Sequence, residues 1–123
     1  MTLYLVTYLD ELEQLVARRE AEVLALLPEE RRFERLRGEM AALLGRYPDP
    51  AARPPLFGAL VGVKDIFHVD GFVTRAGSEL PPELFAGPEA SCVTALRAAG
   101  ALILGKTVTT QFAYFAPAQR ATR

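Results

Sequence analysis

Two apolar runs constrain this chain more than any other feature. LFGALVGV, at 56–63, and ALIL, at 101–104, are built almost entirely of apolar and small residues without polar alternation. That pattern predicts strands buried on both faces, the kind a sheet covered by helices requires. Between them, residues 88–99 carry Val93, Leu96 and Ala99 at helical spacing, with Pro88 at a plausible first helical position and Gly100 as terminator. Strand, helix, strand in that order predicts an α/β fold whose two strands run parallel through a crossover helix.

The second run sits inside GALILGKT, Gly100 to Thr107, which fits the phosphate-loop pattern G-x-x-x-x-G-K-[ST] at every defined position. A phosphate loop needs a strand before the glycine turn and a helix directly after the Lys and Ser/Thr, so that backbone N–H groups converge on the anion. Here a helix precedes the first glycine, and the four variable positions are the apolar strand itself. Gly100 therefore caps a helix, Gly105 ends a strand, and no nucleotide site is expected at Lys106.

Residues 1–53 have a different character, holding 18 of the 29 charged residues before Pro48, Pro50, Pro54 and Pro55 mark a break. Thr7, with Asp10 three residues later, is positioned to cap a first helix whose apolar stripe is Leu12, Val16, Val23 and Leu27, and Pro28 interrupts it. A second helix buries Phe33, Leu36, Met40, Leu43 and Leu44, and Gly45 is its expected stop. The charge-rich surface of this hairpin is a solvated face. The chain thus divides into an N-terminal helical segment, 1–53, and an α/β part, 54–123.

A formal net charge of −1 over 123 residues gives no reason to expect nucleic acid or anionic membrane as partner. Cys92 is the only cysteine and His68 the only histidine, so neither an internal disulfide nor a clustered metal site is expected, and a reducing cytoplasm is the default. The N-terminal MTLYLVTYLDEL has no basic start and is interrupted by Asp10 and Glu11, and no apolar run reaches the length of a membrane span. No targeting signal, cofactor or metal is expected.

The most informative segment lies between the two strands: VGVKDIFHVDGFVTRAGSEL, residues 61–80. A lysine at the end of an apolar strand, Lys64, is expected to be partly desolvated, which favours its neutral form and suits it to exchange protons. On residue types alone the alternative is an ordinary ion pair with Asp65 or another carboxylate at the sheet rim. His68 has no serine in a nucleophile-elbow context and is expected to be a turn or rim residue.

Taken together, VGVKDIFHVDGFVTRAGSEL, GPEASCVTALRAAGALILGKT and TTQFAYFAPAQRATR resemble, in order and spacing, the opening third of an amidase signature enzyme. The resemblance covers about residues 54–123 strongly and the N-terminal helices loosely. It implies an N-terminal helical hairpin followed by the first part of a mixed, helix-covered amidase-type sheet. It also implies amide hydrolysis through an acyl-enzyme formed by a Ser, cis-Ser, Lys triad, with Lys64 matching the triad lysine and accepting a proton relayed through the cis-serine. Asp65 is then expected to shape the turn, and Lys106 is not the catalytic lysine.

The sequence departs from the family pattern where it matters most. The glycine- and serine-rich loop that supplies the cis-serine and the nucleophile is not among these residues. Ser78 and Ser91 are the only serines, and neither matches a triad serine. Leu60, Glu89 and Gln111 stand where the family commonly has Pro, Asp and Glu. The aromatic run Phe112, Tyr114 and Phe115, with Pro117, resembles a family segment near the substrate pocket, although on residue type alone such aromatics belong to a core.

The resulting expectation is the N-terminal portion of an amidase acting on a small-molecule amide, inactive alone, produced by a truncated gene, a split chain or an artificial cut. The alternative is a non-catalytic module that self-associates or binds a complementary chain across strands that other parts of an amidase would cover.

Overall fold

In a computed structural model of the protein, which describes residues 2–114, the element order is α1 (Thr2–Val23), α2 (Arg32–Arg46), β1 (Leu60–Lys64), α3 (Ser91–Ala98) and β2 (Leu102–Thr107), with three short 3-10 turns between or after them. β1 and β2 pair in parallel, with Leu60 opposite Leu102 and Lys64 opposite Thr107, so the expected strand–helix–strand unit is present and the fold is α/β. A single antiparallel bridge, Leu26 to Thr107, lies against the far edge of β2.

The two faces of this small sheet have separate cores. Leu9, Phe33, Leu36, Met40 and Leu102 form one buried cluster, extended by Leu5, Leu12, Val16, Leu60 and Leu104, in which α2 packs on β2 and α1 packs on α2. Val63, Val69, Val93 and Ile103 form the other, extended by Val61 and Phe72 beside α3. Neighbouring residues of β2 thus serve opposite cores, as the period-2 geometry of a strand requires. The alternation slips once: the register shifts between Val61 and Gly62, where Leu104 is an extra residue on β2. The Leu104 carbonyl accepts a 3.3 Å hydrogen bond from Arg35, whose guanidinium also lies 5.0 Å over the Phe72 ring.

Several boundaries differ from the sequence expectation. Thr7 lies inside α1, and the best-buried residue of that helix is Leu9 rather than Val23, which is exposed. Gly45 lies inside α2, because an exposed last turn tolerates the modest helix cost of glycine. α3 begins at Ser91, not Pro88. β1 is shorter than 56–63, and it is not buried on both faces: Val63 is buried, but Gly62 and Lys64 are exposed. β2 does not end at Gly105, for it continues through Gly105 and Lys106 to Thr107. Gly100 does terminate α3. Its φ is +95°, and a Cβ there would meet Pro54 Cγ at 2.8 Å and Phe57 Cα at 2.9 Å, so both conformation and space demand glycine.

α3 has no side-chain cap on its first turn, and Glu89 ties the helix start to the rest of the fold. Its carboxylate accepts 2.9 Å hydrogen bonds from the Asp70 N–H and the Thr94 hydroxyl, with Arg97 at 3.5 Å. Burial works to raise the Glu89 pKa, and these three partners outweigh it, holding it below the ordinary value of 4.5. A carboxyl with a depressed folded-state pKa stabilises the fold above its unfolded value, and that contribution disappears as pH falls through the folded-state value. Acidification from neutrality should therefore lower the melting temperature of the native chain more than that of Glu89→Gln, as followed by circular dichroism. Equal acid sensitivity in the two proteins would refute this role for Glu89.

Candidate active site

In parallel sheets with helices on their faces, ligands collect outside the carboxyl ends of the strands. β1 and β2 end side by side, at Lys64 and Thr107, and three loop segments gather there. The first is the turn after Lys64, whose carbonyl accepts from the N–H groups of Ile66 at 2.8 Å and Phe67 at 3.0 Å. The second is the 74–78 segment. It is fastened to the first by Ala76 N–H to Asp65 C=O at 3.0 Å, and to the third, residues 109–112, by Phe112 N–H to Ala76 C=O at 2.8 Å. Ala76 and Gly77 both have positive φ, +52° and +66°. With both backbone groups of Ala76 bonded, its left-handed conformation is held from either side. Gly77 approaches the third segment so closely that a Cβ would lie 2.8 Å from the Thr109 carbonyl.

A buried charged network supports this loop cluster from below. Lys106 is 3 % exposed and Asp65 2 %. Lys106 Nζ donates to Asp65 Oδ1 at 2.7 Å and lies 3.4 Å from Thr74 Oγ1. The second Asp65 oxygen accepts from Arg75 N–H at 3.1 Å, and His68 Nδ1 is 2.9 Å from Thr74 Oγ1. Asp65 thus shapes the turn through side chain and backbone together, joining β1, β2 and the 74–76 loop. A charge buried this deeply is tolerated only when paired and hydrogen-bonded, and both conditions are met. His68 sits half-buried in the turn, at the edge of this network.

Lys64 is arranged differently from the expected desolvated amine. It is exposed, at the last residue of β1. It does not pair with Asp65, whose charge is taken by Lys106, and it makes no ion pair among the described residues. The two lysines at the strand ends therefore divide: one is locked in the interior, and the other presents an uncommitted amine at the carboxyl end of the sheet.

The remaining candidates are dispersed. Ser78 is buried, with its Oγ accepting from Leu80 N–H at 3.1 Å, whereas Ser91 is exposed at the start of α3. Phe112 is 48 % exposed and packs edge-on against Phe85 at 5.9 Å, and Tyr114 is 71 % exposed, so neither is a core residue. Phe115 and Pro117 lie outside the described residues. Phe112 and Tyr114 follow the third loop segment along the chain. Sequence reasoning missed the Asp65–Lys106–Thr74–His68 network. The available signal was a lysine inside an apolar strand, which demands a carboxylate partner.

The phosphate-loop pattern has no cradle. Gly100 caps α3, Gly105 is within β2, no α-helix opens after Thr107 among the described residues, and the Lys106 charge is neutralised by Asp65. ATP and GTP should show no saturable binding that Lys106→Ala removes, in equilibrium dialysis. Micromolar binding lost in that variant would restore the phosphate reading. Among the described residues no helix is long and apolar enough to cross a membrane, and no three His, Cys, Asp or Glu side chains converge as a metal site.

Comparison with known proteins bears on the same region. Residues 30–122 match the Amidase family. The 1-carboxybiuret hydrolase subunit AtzE of Pseudomonas sp. (strain ADP) is 40 % identical over 88 residues, which make up 68 % of this chain and 19 % of that protein. An amidase of Pseudomonas putida is 47 % identical over 60 residues, 49 % of this chain and 13 % of its own length. A solved structure described as an unexpected vestigial protein complex, revealing the evolutionary origins of an s-triazine catabolic enzyme, superposes on 88 % of this chain with a TM-score of 0.72 and 32 % identity. This chain covers 23 % of that one. The chain thus spans less than a quarter of the length of each of these three proteins.

Proposed function

Because the chain belongs to the amidase family, we propose that it is the N-terminal portion of an enzyme that hydrolyses the C–N bond of a small-molecule amide through an acyl-enzyme, with Lys64 as its base. The observation that carries this reading is the uncommitted amine of Lys64 at the carboxyl end of β1, beside a loop cluster held in place by the buried Asp65–Lys106 pair. In this mechanism a neutral Lys64 accepts a proton relayed through a cis-serine from the nucleophilic serine, and later returns one to the leaving amine. Both serines come from polypeptide outside these residues, since Ser78 is buried in the loop cluster and Ser91 stands on α3. Polypeptide that brings those serines over the carboxyl end of β1 also removes water from Lys64, and desolvation favours the neutral amine that a base must be. Phe112, Tyr114 and Phe115 are candidates for the substrate pocket of that assembled site. No cofactor enters the scheme, and a reducing cytoplasm suits a chain with one exposed thiol, Cys92.

A second reading is favoured by one observation: the edge of β1 away from β2 is unpaired among the described residues. An open strand edge is a template for another strand. A complementing chain, or a second copy of this one, would make the segment a non-catalytic, partner-binding module derived from an amidase.

The isolated chain should not turn over simple amides or esters, because without the nucleophile no acyl-enzyme forms. Product release from a chromogenic anilide and an ester by rigorously purified chain tests this. Steady turnover that Lys64→Ala abolishes would mean that the segment assembles a complete site by itself, contrary to the proposal.

A further inference from the structure

His68 ends a hydrogen-bond chain that begins in the interior at the Asp65–Lys106 pair. The Lys106 ammonium can only donate, so its 3.4 Å contact with Thr74 is accepted by Thr74 Oγ1. Thr74 is buried, and His68 Nδ1, at 2.9 Å, is the acceptor left for its hydroxyl proton. The reverse arrangement, with Nδ1 as donor, would leave a buried hydroxyl proton without an acceptor. The chain from Asp65 through Lys106 and Thr74 therefore fixes the tautomer of the neutral imidazole, with its proton on Nε2. Among the described residues nothing accepts a hydrogen bond from that nitrogen.

His68 lines a cleft of about 320 Å³ between residues 68–74 and 82–87, a volume at the small end of the range for ligand pockets. Its walls are apolar at Phe72, Val73, Pro82 and Phe85, and Phe85 is braced edge-on by Phe112 at 5.9 Å. Nε2 lies at the 82–87 side, where a Cβ on Gly87 would stand 3.2 Å from it, so the glycine leaves this nitrogen room. Asp70 and Glu83 line the same cleft, both exposed, and their carboxylates hold no hydrogen bond or ion pair among the described residues. We infer that the cleft binds a neutral aromatic carboxamide. The ring packs among Phe72, Val73 and Phe85, the carbonyl oxygen accepts from His68 Nε2–H, and the amide N–H groups donate to Asp70 or Glu83. A hydrocarbon of the same shape would leave Nε2–H without an acceptor, and a carboxylate would meet two like charges. Lys64 is not among the lining residues, so an amide held here is bound and not hydrolysed. The inference goes beyond the amidase reading and does not depend on it.

Nuclear magnetic resonance of the untagged, ¹⁵N-labelled chain tests the proposal, because His68 is the only histidine and its ring nitrogens are read without assignment. At mildly alkaline pH the expected result is a protonated Nε2 and a bare Nδ1, a preference lost in Thr74→Val. Benzamide should shift the backbone amide signals of Val73, Ala86 and Gly87 saturably, with the millimolar Kd of so small a ligand. His68→Leu should weaken this binding by roughly tenfold, whereas His68→Gln, which keeps a side-chain donor, should stay within about threefold of the parent. Benzoate should bind the parent chain at least about tenfold more weakly than benzamide. That last comparison needs no variant and decides the matter even where His68→Leu fails to fold. A proton on Nδ1, no saturable shift up to the solubility of benzamide, binding that a folded His68→Leu leaves intact, or benzoate bound as tightly as benzamide would each overturn the proposal.

Discussion

Lys106→Met should be the most damaging single substitution in the interior. It leaves Asp65, 2 % exposed, as a buried carboxylate without its counter-charge. Removing one member of a buried pair costs about 3–5 kcal/mol, because the remaining charge keeps its desolvation penalty and loses its compensation. A domain of this size has only about 5–15 kcal/mol of stability in total, so the melting temperature should fall by many degrees and a part of the population should unfold at ambient temperature. The further change Asp65→Asn removes the stranded charge and retains an acceptor for the Arg75 N–H. The double variant Lys106→Met/Asp65→Asn should therefore be more stable than Lys106→Met alone, a non-additivity visible in urea denaturation. Strict additivity would mean that the two side chains do not act as a pair.

The contrast between the two lysines shows where sequence reasoning stops. The apolar runs announced two strands and the 3.6-residue spacing a helix between them, because burial on a strand and on a helix leaves different periods. Gly105 and Lys106 looked like the end of β2, since a glycine and a cation normally punctuate an apolar strand. The strand passes through both because Asp65, 41 residues earlier in the chain, supplies a counter-charge inside the sheet. A pairing of that kind leaves no trace in local spacing. Likewise, the residue types of β1 predicted cover on both faces, whereas the exposure of Gly62 and Lys64 depends on which elements pack there. The N-terminal helices show the same limit on a smaller scale. Their buried positions Phe33, Leu36 and Met40 were legible from spacing, but Leu9 was passed over because α1 begins well before the Thr7 cap signal.

The largest effect on chemistry is expected at Lys64, and its signature is separable from stability. Lys64 is exposed and holds no ion pair among the described residues, so Lys64→Ala should leave the thermal melt of the chain within about 0.5 kcal/mol of the parent, the usual range for a surface change. On the proposed mechanism, the same substitution in an assembled amidase removes the group that takes the proton from the cis-serine. General-base catalysis is worth roughly 10²–10⁴-fold, and loss of a group that activates the nucleophile falls at the upper end of that range. Lys64→Arg should be nearly as inactive, because a guanidinium keeps its proton at any pH an enzyme experiences. Lys106→Arg, in contrast, would act through folding and lower the amount of active enzyme rather than the activity of each folded molecule.

The most direct measurement is kcat for amide hydrolysis by a chimaera in which residues 30–122, the part that matches the Amidase family, replace the corresponding segment of the Pseudomonas putida amidase. With Lys64 present the chimaera should hydrolyse an amide substrate of its parent, and with Lys64→Ala kcat should fall by about three to four orders of magnitude at an unchanged melting temperature. A Lys64→Ala chimaera that turns over at the rate of its Lys64 counterpart would show that this lysine is not the base, and the account of the site would be wrong.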